Sequence, residues 1–289
     1  VWKEIITLDG MFDFDYSLSR LSFDPLIKVN QQDRTVYVPV KLMEEDKHIV
    51  KIQALGTTER PKFALEGENE EQETLVHKIK EIFQWDKPLE AIQHHFQKTE
   101  LAPLFRKYPG TPIVKDFGYY EALMKTIIHQ QLNMKFAYTL STRFVQKYGE
   151  EVDGVWFYPS PDVVADIPYE DLRELQFSQR KAEYIIDTSR AIVEGKLNLN
   201  ELASKSDDEV IQSLVKIRGI GHWTAENWLL FGVGRNNLLP AADIGIQNAL
   251  KKFLHLESKP HKDDIYKMGE AWSPYRSYAS IVLWRSIEG

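Results

Sequence analysis

The residues best suited to chemistry lie in Ile217-Arg218-Gly219-Ile220-Gly221-His222-Trp223-Thr224-Ala225, followed by Leu239-Pro240-Ala241-Ala242-Asp243. Gly219 and Gly221, one residue apart, predict a tight turn with positive φ and no side chain in the way of an approaching group. A helix is expected to begin near His222, and the first amides of a helix have no partner within it. Those outward N–H groups suit an anion, a phosphate in particular. A glycine-closed helix end joined to another helix would use the same bare G-x-G, so the two glycines alone leave both readings open. For Asp243, a helix cap is the ordinary alternative to a functional carboxylate.

These residues need helices on both sides. Leu214-Val215-Lys216 and Glu226 to Phe231 supply them, and Ser206-Asp207-Asp208-Glu209 carries a Ser-x-x-Glu capping box that starts the helix entering the hairpin. Further helical patterns cover Asp162 to Ala165, Tyr169 to Leu175, Gln179 to Glu194, Asp207 to Lys216, Ile244 to Phe253 and an aromatic helix Tyr275 to Ile287. Tyr120 to Ile128 and Lys135 to Val145 form a helix pair. The loop between them, His129-Gln130-Gln131-Leu132-Asn133-Met134, is either a polar turn or a loop that pushes a side chain into a duplex.

Upstream the period changes. Residues 1–65 alternate apolar and polar positions, as in Glu4 to Leu8, Arg34 to Val40 and His48 to Leu55, with turns expected at Asp33-Arg34 and Asp46-Lys47. The aromatic stretch from Phe12 to Leu21 reads as core filling. The acidic run 66–73 reads as a solvated turn and first helical turn. Helical spacing then holds from Leu75 to Phe96, and Pro103, Pro109 and Pro112 mark a connector. His94 and His95 are adjacent and cannot face one another on a helix, which argues against a metal site there. The fold class is α+β: an N-terminal antiparallel sheet-rich domain at 1–85, then a helical body at 86–289 that divides into 115–230 and 86–114 plus 231–289.

The chain has 289 residues, 43% hydrophobic and 27% charged, an ordinary globular composition. No apolar run reaches a membrane span, and the opening Val1-Trp2-Lys3-Glu4 resembles neither a signal nor a transit peptide. The absence of cysteine excludes disulfides, thiolate zinc sites and cysteine-ligated iron–sulfur clusters. A cytoplasmic, nucleoid-associated bacterial protein is expected. The net charge of −7 argues mildly against a non-specific nucleic-acid coat, but its excess is concentrated in 44–100. A contact made by backbone amides needs fewer basic side chains than a basic groove does.

The pattern [LI]-x-G-[IV]-G-x-x-[TA]-A, with an aspartate 19 residues after Thr224, resembles the helix-hairpin-helix of the DNA glycosylase and endonuclease superfamily. Trp272-Ser273-Pro274-Tyr275-Arg276-Ser277-Tyr278-Ala279 with Trp284, and Ile127-Ile128-His129-Gln130-Gln131-Leu132, are similar to segments of the 3-methyladenine DNA glycosylase II family. Leu175, Arg180, Lys181, Ala182 and Tyr184 echo its internal helix.

The resemblance implies a monofunctional enzyme that cuts the N-glycosidic bond of alkylated purines flipped out of duplex DNA, acting as a monomer. It implies Asp243 as the catalytic carboxylate, Trp223 and Trp284 as pocket walls, and Asn227 where an aromatic wall residue can occur. DNA contacts fall at Gly219, Ile220, Gly221, His222, Thr224, Gln130 and Gln131, with Gln131 at the intercalating wedge. No cofactor is required. A sodium or potassium ion at the main-chain carbonyls of Val215, Ile217 and Gly219 is the one metal the family suggests. Trp223 stands where bifunctional relatives carry a lysine nucleophile, which argues against strand cleavage. Two alternatives remain: a non-catalytic hairpin scaffold, and a glycosylase for another lesion such as oxidised guanine.

Overall fold

The alternating runs of the first third fold into one antiparallel sheet, in a computed structural model that describes residues 1–43, 45–68 and 70–288. Its strands β1 (Trp2–Thr7), β2 (Lys28–Asn30), β3 (Thr35–Met43), β4 (Asp46–Ala54) and β5 (Lys62–Gly67) lie in the order β1-β5-β4-β3-β2. Val36 pairs with Ile52 and Val38 with Val50, all fully buried, so one side of the pleat faces the core. Helices α1 (Phe14–Leu21) and α2 (Gln72–Phe83) join it through Phe12, Phe14, Phe63, Phe83 and Trp85, whose rings pack edge-on and stacked. Phe12, Phe14, Tyr16 and Leu18 are core, as their composition suggests, and Leu21 is half-buried against it.

Two local expectations shift. Asp46 and Lys47 belong to β4, where Met43 pairs with Asp46 after a bulge between Lys41 and Met43. Polar side chains at an open strand end do not interrupt a ladder, so composition points to the turn a little late. In the acidic run, Glu66 and Gly67 complete β5, with Glu66 pairing Lys3 at 2.9 Å and Lys51 at 3.2 Å. Asn69 of that run lies outside the described residues.

The remainder is mostly helical: α3 (Leu89–Phe96), α4 (Ala102–Lys107), α5 (Tyr119–His129), α6 (Met134–Tyr148), α7 (Pro161–Ala165), α8 (Tyr169–Glu174), α9 (Gln179–Val193), α10 (Leu199–Ala203), α11 (Asp207–Leu214), α12 (His222–Asn227), a π-helical turn Trp228–Val233, α13 (Ile244–Phe253), α14 (Lys262–Gly269) and α15 (Arg276–Arg285). The proline-marked connector contains α4, since Pro103 sits in its first turn where no amide is needed. Helix α10 and a small hairpin of β6 (Glu150–Val152) and β7 (Val155–Phe157) are too short to show a period, and α14 carries too few apolar residues to show one. His95 turns its ring to Tyr275, 5.3 Å away. Among the described residues no group of His, Cys, Asp or Glu could hold a metal, and no helix is long and apolar enough to cross a membrane.

Two sets of contacts tie the sheet to the helices. Lys41 donates to Tyr158 O at 2.9 Å, Lys28 to Asp153 O at 3.1 Å, and Lys47 pairs with Glu150. At the other end α1 is bolted to α15. Arg285 donates to Asp13 Oδ2 and Thr111 Oγ1, both at 2.7 Å, Tyr16 donates to Glu288 at 3.0 Å, and Arg20 pairs with Glu288. The last turn of α15, which carries Trp284, is therefore fixed from the N-terminal domain.

Candidate active site and DNA-facing hairpin

Asp243 is the N-cap of α13, its Oδ1 accepting the Ile246 amide at 3.0 Å. The helix-capping reading is thus correct, but it does not exhaust the residue. Trp223 Nε1 donates to Asp243 Oδ2 at 2.8 Å, and Trp284 Nε1 donates to Oδ1 at 2.9 Å. Three elements converge on one carboxylate: α12, α13 and α15. Hydrogen bonds to a charged acceptor are the strong kind, and here they also fix the carboxylate plane. The approach is close enough to demand glycine at 245, because a Cβ there would lie 2.9 Å from both Asp243 Oδ1 and Trp284 Cδ1.

The segment before Asp243 is held by the start of α15. Ser277 Oγ accepts the Leu238 amide at 2.9 Å and donates to Arg235 O at 2.6 Å, and Ser280 donates to Leu238 O at 3.1 Å. Gln247 donates to Ala241 O at 3.0 Å. The serine of the Arg276-Ser277 signature therefore acts on the backbone that delivers Asp243.

The aromatic wall continues through Phe231, whose ring centre lies 5.7 Å from that of Trp284 at 32°. Asn227, expected on this wall, is buried and donates back to Trp223 O at 2.8 Å. Phe231 belongs to the π turn and stands four residues beyond Asn227, one turn further along the same helical face, a spacing the sequence reading did not use. Burial and then the charge of Asp243 push the Glu226 carboxyl up to about 7.

In the hairpin the two glycines serve different ends. Gly219 has φ +92°, and a Cβ there would fall 2.2 Å from Tyr184 Cγ. Gly221 caps α12 in an extended conformation, φ −96° and ψ −179°, with nothing within 4 Å of a Cβ. The positive φ expected at both occurs at Gly219 alone. Gly221 and His222 are exposed, and α12 begins at His222 as the spacing predicts. Ile220 and Thr224 turn their side chains inward, so only their main chains can face a duplex. Ile220 N is itself bonded to Ile217 O at 3.0 Å.

Thr224 instead anchors the neighbouring loop. Gln130 Nε2 donates to Thr224 Oγ1 at 2.7 Å and to Gly219 O at 2.8 Å, while Lys181 caps α5 through Ile128 O at 2.6 Å and Gln130 O at 2.7 Å. Burial pushes the Lys181 amine down to about 8. Gln131 stands exposed at the tip with φ +55°. Of the adjacent glutamines one ties the loop to the hairpin and the other projects. Of the three carbonyls expected to hold a cation, Ile217 O and Gly219 O accept the bonds given above, and a carbonyl has two acceptor sites.

Residues 124–274 match the HhH-GPD superfamily of base excision DNA repair proteins. YfjP of Bacillus subtilis, provisionally named a DNA-3-methyladenine glycosylase, is 51% identical over 288 residues, which is 100% of either chain. The 3-methyladenine DNA glycosylase from Archaeoglobus fulgidus superposes with a TM-score of 0.85 at 22% identity, covering 99% of this chain and 97% of that one. The Schizosaccharomyces pombe 3-methyladenine DNA glycosylase in complex with abasic DNA superposes with a TM-score of 0.60 at 27% identity, over 68% of this chain and 95% of that one. With a family match over residues 124–274 and its full-length likeness to YfjP, the chain belongs to the HhH-GPD superfamily of base excision DNA repair proteins.

Proposed function

We propose that this chain is a monofunctional DNA glycosylase that hydrolyses the N-glycosidic bond of alkylated purines in duplex DNA and acts as a monomer. The observation that carries this reading is the Asp243 carboxylate, held by two indole N–H groups at the foot of an aromatic wall. A base inside a duplex is out of reach, so the nucleotide must be extruded. The amides at Gly221 and His222 would hold a backbone phosphate, and Gln131 would fill the gap left in the stack. As the C1′–N bond breaks, its electron pair leaves with the base and positive charge develops on the sugar. Asp243 is positioned to stabilise that charge and to orient the water that adds to C1′. With Trp223 in place of an amine, no Schiff base forms and the product is an abasic site. A sodium or potassium ion would take the remaining lone pairs of Val215, Ile217 and Gly219 and brace the turn.

The test is base release from methylated duplex DNA, with the free bases identified, for the wild type and Asp243→Asn. Release of 3-methyladenine or 7-methylguanine that the variant abolishes supports the reading. A silent wild type that still binds duplex overturns it, leaving a DNA-binding scaffold or a glycosylase for another lesion such as oxidised guanine.

A further inference from the structure

The turn that leaves Gly221 and His222 exposed also carries an arginine whose charge is engaged elsewhere. Arg218 directly precedes Gly219, and 68% of its side chain is open to solvent. Its Nη2 donates to Glu183 Oε2 on α9 at 2.7 Å, and its guanidinium carbon lies 5.8 Å from the Tyr184 ring centre. Tyr184 is the ring that closes on Gly219, so the guanidinium stays beside the hairpin. Glu183 is itself fixed, its other oxygen accepting Gln179 Nε2 at 2.8 Å. That bond first, and the charges of Arg218 and Arg180 after it, hold its carboxyl below the usual glutamate range. A guanidinium has five N–H donors, so one bond to Glu183 leaves others for a ligand.

We propose that Arg218 is a phosphate-binding residue of the DNA surface, and that a backbone phosphate displaces Glu183 from it. The proposal rests on the glycosylase reading above and deepens it. A phosphate offers two free oxygens and can take the guanidinium fork in two parallel bonds, where Glu183 holds it by one. The carboxylate it displaces keeps the Gln179 bond, and Arg180 lies within electrostatic reach of it. Losing Arg218 therefore does not leave Glu183 bare, and an exposed pair of this kind is worth little in water. The hairpin amides bring only partial charge to a phosphate, whereas Arg218 brings a full one and releases a counterion condensed on the duplex. In a chain of net charge −7, that cation counts, and Glu183 keeps it neutralised until DNA arrives. A phosphate contact reads no base. Glu183 therefore lowers affinity for damaged and undamaged duplex alike and shortens the time spent on each.

The test is duplex affinity as a function of salt for the wild type, Arg218→Gln, Glu183→Gln and the double variant. Two duplexes are used, one undamaged and one carrying a tetrahydrofuran abasic analogue. Arg218→Gln should weaken binding to both about fivefold at low salt and flatten the slope of log K against log salt by about 0.9. Glu183→Gln should tighten both about threefold, the worth of one exposed ion pair. In the Arg218→Gln background the same change should tighten binding by less, since no pair is left to break. An Arg218→Gln slope equal to that of the wild type overturns the proposal. Tightening by Glu183→Gln that is the same in both backgrounds also overturns it, because Glu183 would then act as a simple repelling charge. Base release plays no part in these readings. A wild type that gives them yet releases no base supports the exchange and counts against the glycosylase reading alone, while one that binds no duplex overturns both.

Discussion

The hairpin and the Asp243 cage share one short helix and are built in opposite ways. Gly221 caps the start of α12 and Trp223 lies in its first turn. The hairpin offers main-chain groups from consecutive residues, whereas the cage gathers side chains from α12, α13 and α15, with Asp243 20 residues from Trp223 and 41 from Trp284. Main-chain N–H groups grip any phosphate and read no base. Side chains that converge from three elements can be set against one carbon. The hairpin should therefore govern how tightly DNA is held, and the cage how fast a bound nucleotide reacts.

The largest effect expected on that division is at Asp243. Asp243→Asn keeps the shape and, through its one oxygen, the helix cap, but it removes the charge and the acceptor facing Trp223 Nε1, and base release under single-turnover conditions should fall by about 10²- to 10³-fold. Duplex affinity should change by less than about twofold, on the order of 0.4 kcal/mol. A matching collapse in affinity would break the separation of roles.

The two hairpin glycines sharpen it next. Gly219→Ala must place a methyl on the Tyr184 ring at a positive φ, so it should cost roughly 3 kcal/mol and lower Tm by about 6–10 °C. Gly221→Ala meets open space in an extended backbone and should leave Tm unchanged. Its methyl would stand where a phosphate approaches, and affinity should fall by about tenfold, roughly 1.4 kcal/mol, with the rate at saturation kept. Equal thermal losses in both variants would show that the turn, rather than the approach of DNA, requires the second glycine. Gly245→Ala is the counterpart inside the cage. Its methyl presses on Trp284 and Asp243 at 2.9 Å, so base release should drop by roughly tenfold while affinity holds, a barrier increase of about 1.4 kcal/mol.

What could be read in the sequence follows the same division. The hairpin is local, so two glycines, a capping box at Ser206 and a helix start at His222 were all visible in a few residues. The cage is not local, and Asp243, Trp223 and Trp284 came together through resemblance to a family. The structure then shows what that resemblance leaves out. Phe231 lies four residues beyond Asn227, one turn further along the same helical face, and it takes the place beside Trp284 while Asn227 bonds back to Trp223 O. Gln130 and Gln131 are indistinguishable by type, and only the left-handed backbone at Gln131 sends them to different tasks. Arg20 reaches the wall from the opposite end of the chain, and nothing near residue 20 announces it.

The smallest effect concerns Glu226, three residues beyond Trp223 on the helix both regions share. Its carboxyl is pushed up to about 7, first by burial and then by the charge of Asp243, so folding favours its protonated form. The unfolded chain loses this proton near the ordinary glutamate value, whereas the folded chain keeps it to about pH 7. Between those limits the unfolded state is the one that binds fewer protons, and Glu226 subtracts stability progressively as pH rises. Glu226→Gln should therefore match the wild type in Tm below about pH 4, gain on it through the interval, and hold a constant advantage above about pH 8. If the advantage were the same at every pH, the gain would come from packing, and the charge of Asp243 would not extend from the cage to its neighbour on α12.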